Sequence, residues 1–262
     1  MPVNWFIETV KWKFLIRKLE NLTFPEAFKA VLSGISFALI SPNRIGELAG
    51  RVFILKKENR GKAVFVTAIG SLSQMLITVI VGLFSGISIL FFYPELSKAL
   101  NSDQLFYLKI VTLSSAVFGL LILFNLKYLV LILKKINLNI KFIKYIEILS
   151  EYSTNEVFKV LLLSLLRYVI FSSQFVLLLY FFDTELLFCE AFAGIALTYL
   201  LSSLVPVLSI LEISVRGTAA IIFLGMFSQN IPGIVSAAAV LWIINLAVPA
   251  VAGSIIFYRT KI

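Results

Sequence analysis

Apolar runs of unequal length alternate with short polar connections along this chain. A transmembrane helix needs about 20 predominantly apolar residues. Residues 63–92 exceed that length without a single charge, and 105–124 holds only Lys109. Residues 157–182 hold Lys159 and Arg167, while 188–211 is uncharged from Ala191 onward and 234–258 is uncharged throughout. These five stretches read as full spans. Two apolar pieces are too short to cross: residues 25–41, which include Lys29, and residues 217–228. Their lengths fall in the range of re-entrant or broken segments. The fold class expected is therefore all-α, a polytopic integral membrane helical bundle with about five full spans and two short re-entrant or broken segments.

Composition agrees with the pattern. Of 262 residues, 60% are hydrophobic and 14% charged, more apolar material than a soluble core of this length buries. The formal net charge is +9, with basic residues clustered between apolar segments, which suits an anionic leaflet and argues against a nucleic-acid partner. Histidine is absent and Cys189 is the sole cysteine. Structural zinc, disulfide frameworks and His-centred catalysis are excluded, so no metal and no cofactor is expected. Cys189 reads as a small hydrophobe near a helix end.

The first 24 residues carry charges throughout and no small-residue cleavage site, unlike a signal peptide. They read as an interfacial amphipathic helix, with Trp5, Trp12 and the Lys/Arg side chains at headgroup level. Cytoplasmic loops carry the excess of Lys and Arg. Lys11, Lys13, Arg17 and Lys18 precede the 25–41 segment, and Arg44, Arg51, Lys56, Lys57, Arg60 and Lys62 follow it. Both ends of that segment are thus assigned to the cytoplasmic side, so it should dip and return. The connection holding Lys98 beside Glu95 and Asp103, and residues 183–190 with no basic residue, fall outside, whereas 125–156 with five lysines falls inside. Arg259 and Lys261 place the C-terminus in the cytoplasm. Irregular backbone at membrane depth is tolerated where it is buried in protein or lines a wet cavity, so a cavity is implied.

The polar residues gather at the two breaks. In ISPNRIGELAGR, Pro42 ends the preceding helix and a new one can start near Gly46, with Glu47 and Arg51 one turn apart on one face. In VPVLSILEISVRG, Pro206 again breaks an apolar run, and Glu212 and Arg216 repeat the spacing ahead of Gly217. Paired broken segments in the two halves of a membrane protein point to a transport site near mid-bilayer. Arg167 lies about 15 Å into its span at 1.5 Å per residue. A charge at that depth requires a cavity, a partner or a headgroup. Glu47 and Glu212 are both candidate partners, and Gln174 shares its helix face.

These residues resemble the transmembrane region of the lysylphosphatidylglycerol synthase/flippase family, polytopic membrane proteins of bacteria and archaea. The family signature Pro-Gly-Arg-x-Gly-Glu-x-x-x-Arg stands here as Pro42, Asn43, Arg44, Ile45, Gly46, Glu47 and Arg51, with Asn43 in place of glycine. The basic, Trp-containing stretch VKWKFLIRK precedes it. A second signature ending in Val-Arg-Glu matches Val215 and Arg216, with Gly217 at the glutamate position and Glu212 available as a substitute carboxylate. Family members usually begin with one or two more spans before the Trp-basic stretch. Some append an aminoacyltransferase, an activity not expected of these 262 residues.

The resemblance implies binding and translocation of a membrane phospholipid or a polyprenyl-phosphate-type lipid, in a bacterial or archaeal cytoplasmic membrane. Arg44, Arg51, Arg167 and Arg216 would bind the anionic headgroup, with Glu47 and Glu212 holding the guanidiniums when it is absent, and Pro42, Gly46, Pro206 and Gly217 would make the breaks. A membrane-embedded enzyme acting on a lipid-linked phosphate or sugar, with Glu47 or Glu212 as general base, stays open as an alternative. So does a non-transporting scaffold.

Overall fold

The computed structural model describes residues 1–42, 44–93, 102–135 and 140–259. Asn43, the connection carrying Glu95 and Lys98, and Lys261 lie outside them. The described residues are almost entirely helical. In chain order the helices are α1 (Pro2–Ile16), α2 (Phe24–Leu39), α3 (Gly46–Val52), α4 (Lys57–Phe92), α5 (Ser102–Phe124), α6 (Leu126–Lys135), α7 (Ile140–Ile146), α8 (Thr154–Phe181), α9 (Phe188–Leu204), α10 (Glu212–Leu224), α11 (Ile231–Trp242) and α12 (Val248–Arg259).

Three described stretches are long and apolar enough to cross a membrane: Lys57–Phe92, Thr154–Phe181 and Ile231–Tyr258. A fourth results if Ala116–Phe124 and Leu126–Lys135, bent by 86° against each other, count as one span. Helix α9 stops at Leu204, short of the 188–211 run, because Val205 turns to extended backbone ahead of Pro206. The third long stretch is interrupted by a π-helical turn at Ile243–Ala247. Pro249 has no N–H to give the carbonyl of Asn245, and the backbone widens one turn before it.

Local signals set the helix starts. Glu26 accepts from the Thr23 backbone N–H at 2.8 Å, and Glu156 accepts from that of Ser153 at 2.9 Å, two capping boxes at the heads of α2 and α8. Asn230 caps α11 by accepting from the Gly233 N–H at 2.9 Å.

Two short helical hairpins organise the centre. Helix α3 folds back along α2, and a Cβ on Gly50 would come within 2.8 Å of the Gly34 Cα, so only glycine permits that approach. On the other side of α2, Ser36 Oγ donates to the Ala250 carbonyl of α12 at 2.6 Å. The ends of this hairpin meet: Glu20, just before α2, accepts from the Lys56 N–H at 2.9 Å and from Asn59 Nδ2 at 2.8 Å. Helix α10 likewise folds back on α9, with Leu224 packed where a Cβ on Gly194 would stand. Around these hairpins lie two apolar cores. One gathers Trp12, Leu15, Val31, Val66 and Val160, and the other Phe175, Leu179, Ile195, Leu224 and Leu241.

Helix α1 corrects the sequence reading. It packs against α2, α4 and α8 instead of lying on a surface. Trp12 is completely buried and its indole N–H donates to Thr67 Oγ1 at 3.0 Å. Asn4, Glu8, Thr9 and Lys11 are buried as well. Of the basic residues that suggested a headgroup-level helix, Lys11 is buried and paired with Glu8 inside the protein. At its end, Arg17 and Lys18 pair with Glu156 at 2.6 and 2.7 Å. Nearby Tyr152 donates to the Leu15 carbonyl, and burial pushes its phenol pKa up.

Candidate functional site

The tips of the two hairpins touch. Pro42 and Leu208 form an antiparallel backbone bridge, bringing together the two proline breaks. In the first tip, Ser41 Oγ accepts from the Gly46 N–H at 2.8 Å, and Arg44 takes a left-handed φ of 59°. A Cβ on Gly46 would come within 2.3 Å of the Phe37 carbonyl oxygen. In the second, the Ser209 carbonyl accepts from Trp242 Nε1 at 3.3 Å, tying the tip to α11. Pro42, Gly46 and Pro206 therefore stand at real breaks. Gly217 does not: it lies inside α10, which already begins at Glu212, with open space around its Cα.

Each tip leads into a helix whose first turn holds the glutamate of a Glu–Arg pair. Glu47 pairs with Arg51, and Glu212 with Arg216. Arg44 Nε stands 3.6 Å from Glu47, and Arg44 and Glu212 line the same cavity. The Arg216 guanidinium lies over the rings of Phe171 and Tyr199, 5.6 Å from each centroid, which holds it against the wall.

Arg167 is paired with neither of the carboxylates considered from sequence. Its Nη1 stands 2.9 Å from Glu8 Oε2, and its Nε donates to Asn4 Oδ1 at 2.9 Å. Glu8 also holds Arg51 at 2.7 Å and Lys11 at 2.8 Å, so one carboxylate joins α1, α3 and α8 while only 4% exposed. Asn4 continues the chain to Asn245 at 3.4 Å, in the π-helical turn, and Asn245 Nδ2 donates to Gln174 Oε1 at 3.1 Å. Sequence reasoning missed Glu8, Lys11, Asn4 and Asn245. The signal was present: Asn4, Glu8 and Lys11 are spaced four and three apart, one polar stripe along the helix.

A cavity of about 580 Å³ opens between the two tips, α1, α4 and α8. Arg44, Glu47, Arg167, Glu212 and Arg216 line it, joined by Glu8 and Lys11. Arg51 is absent from the lining; it is 3% exposed and locked between Glu8 and Glu47. Apolar and aromatic groups complete the wall, among them Trp5, Met75, Phe171 and Tyr199.

The sequence profile of the lysylphosphatidylglycerol synthase TM region matches residues 2–254. The chain belongs to that family. Both hairpins, the bridge between them and the buried charges fall within the matched residues. The protein is thus a multi-pass membrane domain of lysylphosphatidylglycerol synthase type, with a lipid-related membrane function. No curated protein and no solved structure gives a match. Within the family signature, Arg44, Gly46 and Glu47 form the first tip, and Arg51 reaches inward to Glu8. No group of three or more Cys, Asp or Glu side chains suited to a metal ion occurs among the described residues.

Proposed function

We propose that this protein binds the anionic headgroup of a membrane lipid in the cavity between the two hairpin tips and moves it across the bilayer. The observation supporting this is the convergence of Arg44, Arg167 and Arg216, from three separate elements, on one cavity of about 580 Å³. A phosphate headgroup must leave water and traverse about 30 Å of hydrocarbon. Guanidinium stays charged at depth and matches phosphate oxygens in a planar fork. Glu47 and Glu212 hold the arginines between lipids, and Arg51 fixes the first tip to α1 through Glu8. The two hairpins are re-entrant, each entering and leaving on one face, so four stretches cross, 63–92, 105–124, 157–182 and 234–258, and the C-terminus is cytoplasmic. Rocking of the hairpins against the long helices gives access to either leaflet in turn. The membrane is the cytoplasmic one.

The test is reconstitution into liposomes carrying fluorescent anionic lipid, with an impermeant quencher added outside. The quenched fraction rises from the outer-leaflet share towards the whole pool when active protein is present. A quenched fraction that stays at the outer-leaflet share refutes translocation.

A further inference from the structure

We infer that the headgroup is a dianionic phosphomonoester, as in a polyprenyl phosphate or phosphatidic acid, rather than a monoanionic phosphodiester. This rests on the headgroup-binding reading above and goes further, because the buried charges count the ligand's own. Lys11, Arg44, Arg51 and Arg167 face Glu8 and Glu47 in one connected cluster, and Arg216 pairs with Glu212 on the wall of the same cavity. The cluster carries a formal surplus of two positive charges. Each carboxylate is already committed: Glu8 to three cations, Glu47 to two, Glu212 to Arg216. Apart from Glu8, Lys11, Arg44, Glu47, Arg167, Glu212 and Arg216, no charged side chain among the described residues lines the cavity.

A surplus held in a site of low polarity favours whatever ligand neutralises it. A phosphodiester brings one negative charge and leaves one cation uncompensated. A phosphomonoester brings about 1.5 to 2 negative charges at pH 7 and closes the balance. Hydrogen bonding points the same way. Trp5 Nε1, Tyr199 OH, Ser209 Oγ and Arg216 Nε are buried at the wall, can all donate, and have no hydrogen-bond partner among the described residues. Tyr199 is 6% exposed and Arg216 9%, so these donors are built into the wall. A terminal phosphate offers three strong acceptor oxygens to such a set.

The experiment measures affinity separately from movement. Thermal shift of the purified full chain in detergent is titrated at pH 7 with short-chain phosphatidic acid, a short polyprenyl phosphate, short-chain phosphatidylglycerol and sodium phosphate. Both monoester lipids bind at least about tenfold tighter than phosphatidylglycerol, a difference of about 1.4 kcal/mol. Lys11→Met, which removes one charge of the surplus, brings that ratio towards one. Phosphatidylglycerol binding as tightly as the monoesters, or an unchanged ratio in a folded Lys11→Met variant, overturns the inference while the liposome assay above still stands or falls alone. If Lys11→Met fails to fold, the wild-type comparison decides. Sodium phosphate binding as tightly as the lipids assigns the site to free phosphate and overturns the lipid source. Failure of all lipids to bind, with no movement in liposomes, overturns the headgroup reading itself.

Discussion

Pro42 and Leu208 are bridged backbone to backbone, so the two broken segments of this membrane domain meet at their tips. Residues directly opposite in an antiparallel pair have Cα atoms about 4.5 to 5.5 Å apart, within the range a disulfide spans. Pro42→Cys with Leu208→Cys, in a Cys189→Ser background, should cross-link under mild oxidant without change of mass. Lipid movement should stop in the cross-linked form and return on reduction. Absence of the cross-link would contradict the bridge, and full activity in the cross-linked form would remove tip separation from the transport cycle.

Glu8 is the carboxylate on which Lys11, Arg51 and Arg167 converge. Removing one partner of a buried ion pair strands the others, at a cost of about 3 to 5 kcal/mol. Glu8→Gln should lower the melting temperature of the purified protein sharply. Its cost should be non-additive with Arg167→Gln, because the two share an interaction. A Glu8→Gln protein as stable as the wild type would show that the cluster does not hold α1 in place.

Arg167→Leu leaves Glu8 still paired with Lys11 and Arg51, so the protein should reach the membrane in normal amount. Lipid movement should nevertheless be lost. Arg167→Lys keeps the charge but cannot both pair with Glu8 and donate to Asn4 through a planar fork, so it should recover only part of the activity. Wild-type transport by Arg167→Leu would take this arginine out of the mechanism.

The two glycines near the tips should respond in opposite ways. Gly46→Ala places a methyl group 2.3 Å from the Phe37 carbonyl and should displace the first tip, lowering both stability and activity. Gly217→Ala meets nothing within 4 Å in the interior of α10 and should leave activity intact, adding up to about 1 kcal/mol through helix propensity. Equal effects at the two positions would contradict the geometry of the tips.

Exposed Asn21 and Lys57 flank the first hairpin at its two ends. Cysteines introduced at both, without Cys189, should react with an impermeant thiol reagent from the same side of the membrane. Labelling from opposite sides would show that the segment crosses.

Much of this molecule is legible in the order of its residues. The 63–92 and 157–182 runs are long, nearly uncharged and bounded by polar residues, and they appear as α4 and α8, since burial in hydrocarbon acts on each helix through its own composition. The breaks at Pro42 and Pro206 are local too, because a proline removes a hydrogen bond wherever the chain goes afterwards. The partner of Arg167 could not be read this way. A charge demands a counter-charge but does not name it, and Coulomb attraction depends on distance in space, not on separation along the chain. Helix α1 carries basic residues and tryptophans, as an interfacial helix does, and only packing against α2, α4 and α8 turns its Asn4–Glu8–Lys11 stripe inward. That packing brings Glu8 to Arg51 and Arg167, and it joins the Glu47–Arg51 pair, which the sequence presents as a local i,i+4 contact, to Lys11 and Arg167 in one cluster of charges.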